Sequence, residues 1–154
     1  MGFFRQKPFN KKVPVDDSIE IKNEKPPIYK SVRKFLGVKE INAFFTYGEV
    51  IYNPAELPVP GDIIVHEKVH MRQQKVEGMT PAIWWGKWLR DEKFRIDQEA
   101  RGYAAQLVAV RKVLKDKNAQ ARVLHSFAMS LSGPLYKNVI GHSEAMMLIR
   151  SYAK

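Results

Sequence analysis

Residues 66 to 70 read His66-Glu67-Lys68-Val69-His70, two histidines four apart bracketing a glutamate. The spacing has chemical meaning only on an α-helix. There, positions i and i+4 lie one above the other on one face, so both imidazoles can reach a single metal ion. Glu67 projects beside them, close enough to take a proton from a water activated there without being a ligand itself. This requirement constrains the rest of the chain, because two protein ligands are too few. A third must come from a distant segment, with one position left open for water. The chain contains no cysteine, so disulfides and thiolate ligands are excluded and the third ligand is His, Asp or Glu.

The downstream candidates are Glu92, Asp97, Glu99, His125, His142 and Glu144. Glu99 is the best placed. It stands 29 residues past His70 in Gln98-Glu99-Ala100-Arg101-Gly102-Tyr103, and the small residues Ala100 and Gly102 permit close helix approach. Tyr103 lies one turn along the same face, where a phenol could donate to a developing oxyanion, with Arg101 as the other candidate. Arg95, one turn back, could orient or neutralise Glu99. The plainer alternative is that Glu99 only pairs with Arg95 on a solvated face.

Periodicity supplies a scaffold for these residues. Residues 1 to 27 are polar, with Pro8, Pro14, Pro26 and Pro27, and read as a basic extended arm ahead of a single domain over 28–154. Ile28 to Leu36 reads as a short helix or an extended segment. Ile41–Thr46 and Val50–Tyr52, rich in β-formers around Tyr47-Gly48-Glu49, read as a hairpin. Asp62 is the expected N-cap of the motif helix, which should run through Val76 to a stop at Gly78. Thr80 and Pro81 should open a helix bearing Trp84, Trp85 and Trp88, a cluster that reads as core packing. Further helices are expected over 91–115, 118–131 and from an N-cap at Ser143. Gln73 and Gln74 either approach Glu67 or face water. His125 reads as a core or helix-surface histidine and His142 as a turn residue.

The chain is one ordinary domain of 154 residues with 45% hydrophobic residues, enough for a single core. Its formal charge of +10 is spread along the chain, ten Lys/Arg against five acids in residues 1–40 and sixteen against eleven beyond. Such a balance favours polyanions, but no nucleic-acid-binding motif accompanies it, so any such binding should lack sequence specificity. The run Arg111, Lys112, Lys115, Lys117 is most simply a solvated helix end. No apolar stretch follows the basic N-terminal residues as in a secretory signal, and none is long enough to span a membrane. The absence of cysteine fits a reducing cytoplasm as the setting.

His66-Glu67-x-x-His70, followed by Gln73, Gln74 and a second helix with a Glu-Ala-x-x-Tyr element, resembles small gluzincin-type zinc peptidase domains frequent among bacteriophage and prophage sequences. The resemblance covers about Ile41 to Leu107. It implies an α+β, mostly helical, zincin-like fold, with a small hairpin or sheet packed on the motif helix and on a long helix bearing Glu99. It implies zinc on His66, His70 and Glu99, with Glu67 as general base and a peptide or protein as substrate. The strand Val50–Tyr52 becomes the substrate-aligning edge. Asp97 is the one acidic residue near enough to fix a motif histidine. A rival expectation is a non-enzymatic virion component that retains such a domain, its basic arm docking on other virion proteins or on nucleic acid. A third is a chance motif in a core helix that binds no metal.

Overall fold

The computed structural model describes residues 1–3 and 12–154. Its elements, in chain order, are β1 (Gly2–Phe3), β2 (Glu20–Lys22), α1 (Tyr29–Leu36), β3 (Ala43–Tyr47), β4 (Val50–Tyr52), α2 (Gly61–Gln73), α3 (Pro81–Arg90), α4 (Glu92–Val113), α5 (Lys117–Leu131), a 3₁₀ turn (Pro134–Tyr136) and α6 (His142–Tyr152). The fold is mostly helical with one small sheet, as the α+β expectation required. No helix among the described residues is long and apolar enough to cross a membrane.

The hairpin forms where the β-formers predict it, Tyr47 pairing with Val50 across Gly48, whose φ of 65° suits a residue without Cβ. The remaining strands come from the arm. β2 joins β4 in parallel, and β1 joins β3 antiparallel, giving the order β1-β3-β4-β2. The described parts of the segment read as an extended arm thus add two strands to the sheet, and residues 4–11 of it lie outside the described residues. The order also corrects one expectation. β4 is hydrogen-bonded on both sides, by β3 and β2, so Val50–Tyr52 offers no free edge; the far side of β3 is taken by β1.

Helix ends follow cap chemistry. Thr80 caps α3 by accepting from the Ile83 amide at 3.1 Å, with Pro81 in its first turn. Asp91 and Asp116 cap α4 and α5 in the same way. Two ends differ from expectation. The N-cap of α2 is Pro60, and Asp62 sits inside the first turn, where its charge favours the helix N-terminus and its side chain serves α4. The helix ends at Gln73, short of Val76. α6 starts at His142 with Gly141 as cap, so Ser143 lies inside it.

α2 and α4 run antiparallel, since Asp62 and His66 meet Gln106 while Gln73 meets Gln98. They approach closely because Gly102 has no side chain: a Cβ there would lie 2.7–2.9 Å from His66 ring atoms. The main core, containing Trp84, Trp85, Trp88, Phe45, Leu107, Phe127 and Leu131, fills the space around α4. A second cluster, Phe44, Ile51, Ile63, Ile64 and Met71, joins the sheet to the other side of α2. The motif helix is thus packed on both flanks, with His66, Glu67 and His70 on its inward surface.

Candidate metal centre

His66 and His70 share one helix face as their spacing predicted, and Glu99, of the candidates for a third ligand, is the one that meets them. The two imidazole Nε2 atoms lie 3.1 Å apart, and Glu99 Oε2 lies 3.0 Å from that of His66 and 3.3 Å from that of His70. His66, Glu67, His70 and Glu99 are all fully buried. Solvated pairing of Glu99 with Arg95 is excluded by this burial. Arg95 turns elsewhere: its Nη1 donates to the Trp88 carbonyl at 2.6 Å and its guanidinium lies over Phe35 and Trp88.

The tautomers of both histidines follow from their outer partners. Gln106 Nε2 donates to the Asp62 carboxylate at 2.9 Å, which can only accept. Its Oε1 therefore faces His66, whose Nδ1–H donates to it at 2.8 Å. Gln73 repeats the arrangement: Nε2 donates to the Gln98 carbonyl at 3.2 Å, and Oε1 accepts from His70 Nδ1–H at 2.7 Å. With the proton on Nδ1, each Nε2 presents a lone pair to the centre. Burial holds the His66 imidazole below its ordinary pKa against the pull of Glu99, with the Met1 ammonium adding to the lowering, so the neutral form that binds metals is favoured. Burial pushes the Glu99 carboxyl up, but the Met1 ammonium beside it outweighs this and holds Glu99 well below the carboxylate range.

Two lone pairs and a carboxylate thus face one another at hydrogen-bond distance, and such a set calls for a cation. In this structure the Met1 ammonium meets part of that need, donating to Glu99 Oε1 at 2.7 Å and to His70 Nε2 at 2.9 Å. Glu67 stands beside it, with Oε1 3.9 Å from the Met1 nitrogen and without a hydrogen-bond partner. The other oxygen of Glu67 is held by Thr46 Oγ1 at 2.6 Å. His66, Glu67 and His70 offer ligand atoms within 4.8 Å of one another. The buried group is therefore able to hold a metal ion, and Glu99 lies still closer to both histidines than Glu67 does.

Several residues differ from expectation. Tyr103 packs edge-on against His66, with ring centroids 4.7 Å apart, and its hydroxyl shares a 3.0 Å hydrogen bond with that of Tyr136. Tyr136, not singled out in the sequence, reaches the centre: its hydroxyl lies 2.8 Å from the Met1 carbonyl oxygen and 3.3 Å from Glu99 Oε2. Burial, reinforced by the Glu99 charge, pushes the Tyr136 phenol well above its ordinary pKa, so it remains a donor. Asp97 fixes neither histidine; it pairs with Arg101 and Tyr152, and the glutamines take that role. His125 and His142 pack against each other, ring centroids 4.4 Å apart and planes tilted by 58°, and stay out of the centre.

The tryptophans are core residues, as read, but their indole N–H groups also organise the centre. Trp88 Nε1 donates to Glu99 Oε1, Trp84 Nε1 to Gln98 Oε1, and Trp85 Nε1 to the Thr46 carbonyl, each at 2.8 Å. Gln74 resolves to the inward alternative, its amide donating to that same Thr46 carbonyl at 2.9 Å. No sequence signal distinguishes a packing tryptophan from one that also donates. Tyr136 follows a Gly-Pro turn 37 residues past Glu99, where no periodicity connects it to α4. No family model, curated protein or solved structure matches this chain.

Proposed function

We propose that this protein is a zinc-dependent peptidase, with His66, His70 and Glu99 as ligands and Glu67 as general base. The observation that carries the reading is the pair of Nε2 lone pairs, set by Gln106 and Gln73, meeting the Glu99 carboxylate at 3.0–3.3 Å. Four-coordinate zinc with bonds of about 2.0–2.2 Å needs donor separations of about 3.3–3.5 Å, so the residues fit with shifts of a few tenths of an ångström. When bound, the metal would supply Lewis acidity, lowering the pKa of water and polarising the scissile carbonyl.

The chain's own groups do the rest. Glu67, oriented by Thr46, takes the proton of the attacking water and passes it to the leaving amine. Tyr136 donates a hydrogen bond to a substrate carbonyl beside the centre, as it does to that of Met1. Tyr103 supports it from behind, a positioning role in place of direct oxyanion contact. The β3 edge aligns the substrate backbone. The resemblance to gluzincin-type domains of phages supports the same reading.

The test is metal content by elemental analysis, followed by a peptide-library cleavage assay. Wild type should carry one zinc per chain, and Glu99→Ala should lose it or hold it far more weakly. Glu67→Gln should keep zinc and lose about 100-fold or more of the hydrolytic rate. A Glu67→Gln protein with zinc and full activity would remove the mechanism. The burial of the whole centre favours a second reading, a virion component whose metal serves stability alone. It predicts zinc with no cleavage by any variant.

A further inference from the structure

We infer that Met1–Phe3 occupies the substrate position of this centre in the resting chain, bound as the departing fragment of a cleaved peptide would be. The centre is then latent until the strand leaves. What that position ordinarily takes rests on the peptidase reading; the occupancy itself rests on geometry alone.

An extended segment that adds to a sheet edge is a standard mode of peptide recognition. β1 does this on β3, pairing Gly2 with Phe44 and Phe3 with Ala43. Antiparallel pairing directs the chain so that Met1 arrives at the centre. Its nitrogen lies 2.7 Å from Glu99 Oε1, 2.9 Å from His70 Nε2 and 3.9 Å from Glu67 Oε1. A nitrogen there stands in for the amine released by hydrolysis, beside the base that would protonate it. The Met1 carbonyl oxygen accepts from Tyr136 at 2.8 Å, as the first carbonyl after the scissile bond would. Met1 itself is wholly buried within the main core cluster. Backbone, carbonyl, nitrogen and side chain are all engaged at once.

The strand is also tethered nearby. The carbonyls of Val13 and Pro14 pass so close over the start of α2 that a Cβ at Gly61 would collide with them. Asp16 then pairs with Lys68 at 2.7 Å, and β2 joins β4. A tethered occupant competes at high effective concentration, so it excludes substrate without binding strongly. Two paired residues form a marginal strand, which leaves the occupant able to depart.

The test uses the full chain, with Met1 verified by intact mass, in two forms. Gly2→Pro weakens β1, since proline cannot donate to a ladder. Phe3→Cys with Ala43→Cys places a disulfide across the paired residues of a chain that has no other cysteine. Zinc affinity, measured by competition with the chromophoric chelator 4-(2-pyridylazo)resorcinol, is followed alongside peptide cleavage. The ammonium and zinc compete for His70 Nε2 and Glu99, so occupancy predicts tighter zinc binding than wild type in Gly2→Pro. In the oxidised double variant it predicts binding weaker by about tenfold or more, reversed by dithiothreitol. If the double variant fails to fold, Gly2→Pro decides alone. Wild-type zinc affinity in Gly2→Pro overturns the inference. Tighter zinc binding in Gly2→Pro with no cleavage by any form upholds the occupancy and removes the peptidase reading. Cleavage by wild type that Gly2→Pro does not raise upholds the peptidase and removes the latency.

Discussion

Gln106 and Gln73 are the residues that turn two buried histidines into candidate ligands. Each has its amide nitrogen committed to an obligate acceptor, the Asp62 carboxylate or the Gln98 carbonyl, so each must offer its oxygen to an imidazole N–H. Replacing Gln106 by Leu removes the acceptor and frees His66 to take the other tautomer. Gln106→Leu should lower metal affinity about 10–100-fold, measured by competition with a chelator of known affinity. Wild-type affinity would show that the tautomer is set elsewhere. Gly102 matters for a steric reason: Gly102→Ala would press a methyl group onto the His66 ring. The cost should be about 1–3 kcal/mol in denaturant midpoint, with weakened metal binding. The pairing of His66 with His70 was legible because helical spacing is local, whereas Glu99 stayed one of six candidates that only packing could sort. Gln106 is 40 residues from His66, and glutamine is too common a residue to signal a role.

The elements were legible where turn and cap chemistry is local. Thr80-Pro81 marked the start of α3, and Thr80→Ala should cost about 1 kcal/mol in thermal or chemical unfolding. Tyr47-Gly48-Glu49 marked the hairpin. Asp62 misled, because a short acidic residue near a helix start suits both the cap and the first turn, and the demand of Gln106 placed it in the turn. Strand pairing was beyond reach: β1 and β2 are two and three residues long, and only the exposed edges of β3 and β4 give them partners. The link between arm and α2 is also testable. Hydrogen bonds from Lys68, then from Ser18, hold the Asp16 carboxyl down at about 2 from 3.8. Its contribution to stability is present above the ordinary value and disappears as pH falls through about 2. Carbon-detected NMR titration should show that depressed midpoint, and Lys68→Ala should return it toward 3.8.

At the scale of the whole molecule, the centre couples the arm, the sheet, two helices and the 3₁₀ turn. β1 brings the Met1 ammonium, β3 brings Thr46, α2 and α4 bring the four principal side chains, and the turn before α6 brings Tyr136. A ligand that binds this assembled state but not the unfolded chain must stabilise it by mass action. Zinc at 100 times its dissociation constant should add about 2.7 kcal/mol, visible as a higher Tm that Glu99→Ala does not share. An unchanged Tm with saturating zinc would oppose a folded-state site. The charge of +10 also predicts weak DNA binding that falls steeply with salt and ignores sequence. Binding insensitive to salt would exclude that electrostatic origin.

The amino-acid sequence by itself determined the motif helix, the helix bearing Glu99 and the hairpin, and it put His66 and His70 on one face with Glu99 as the best placed of six candidates for a third ligand. These depend on periodicity and on residue chemistry that acts within a few turns. Only the tertiary structure decided which groups orient those ligands, which tyrosine reaches the centre, and which strand presents the edge. It also decided that Met1 lies among the ligands. Contacts of that kind join residues up to 135 apart, as Tyr136 and Met1 are. They arise from packing and from the need to satisfy every buried polar group, which no local pattern encodes.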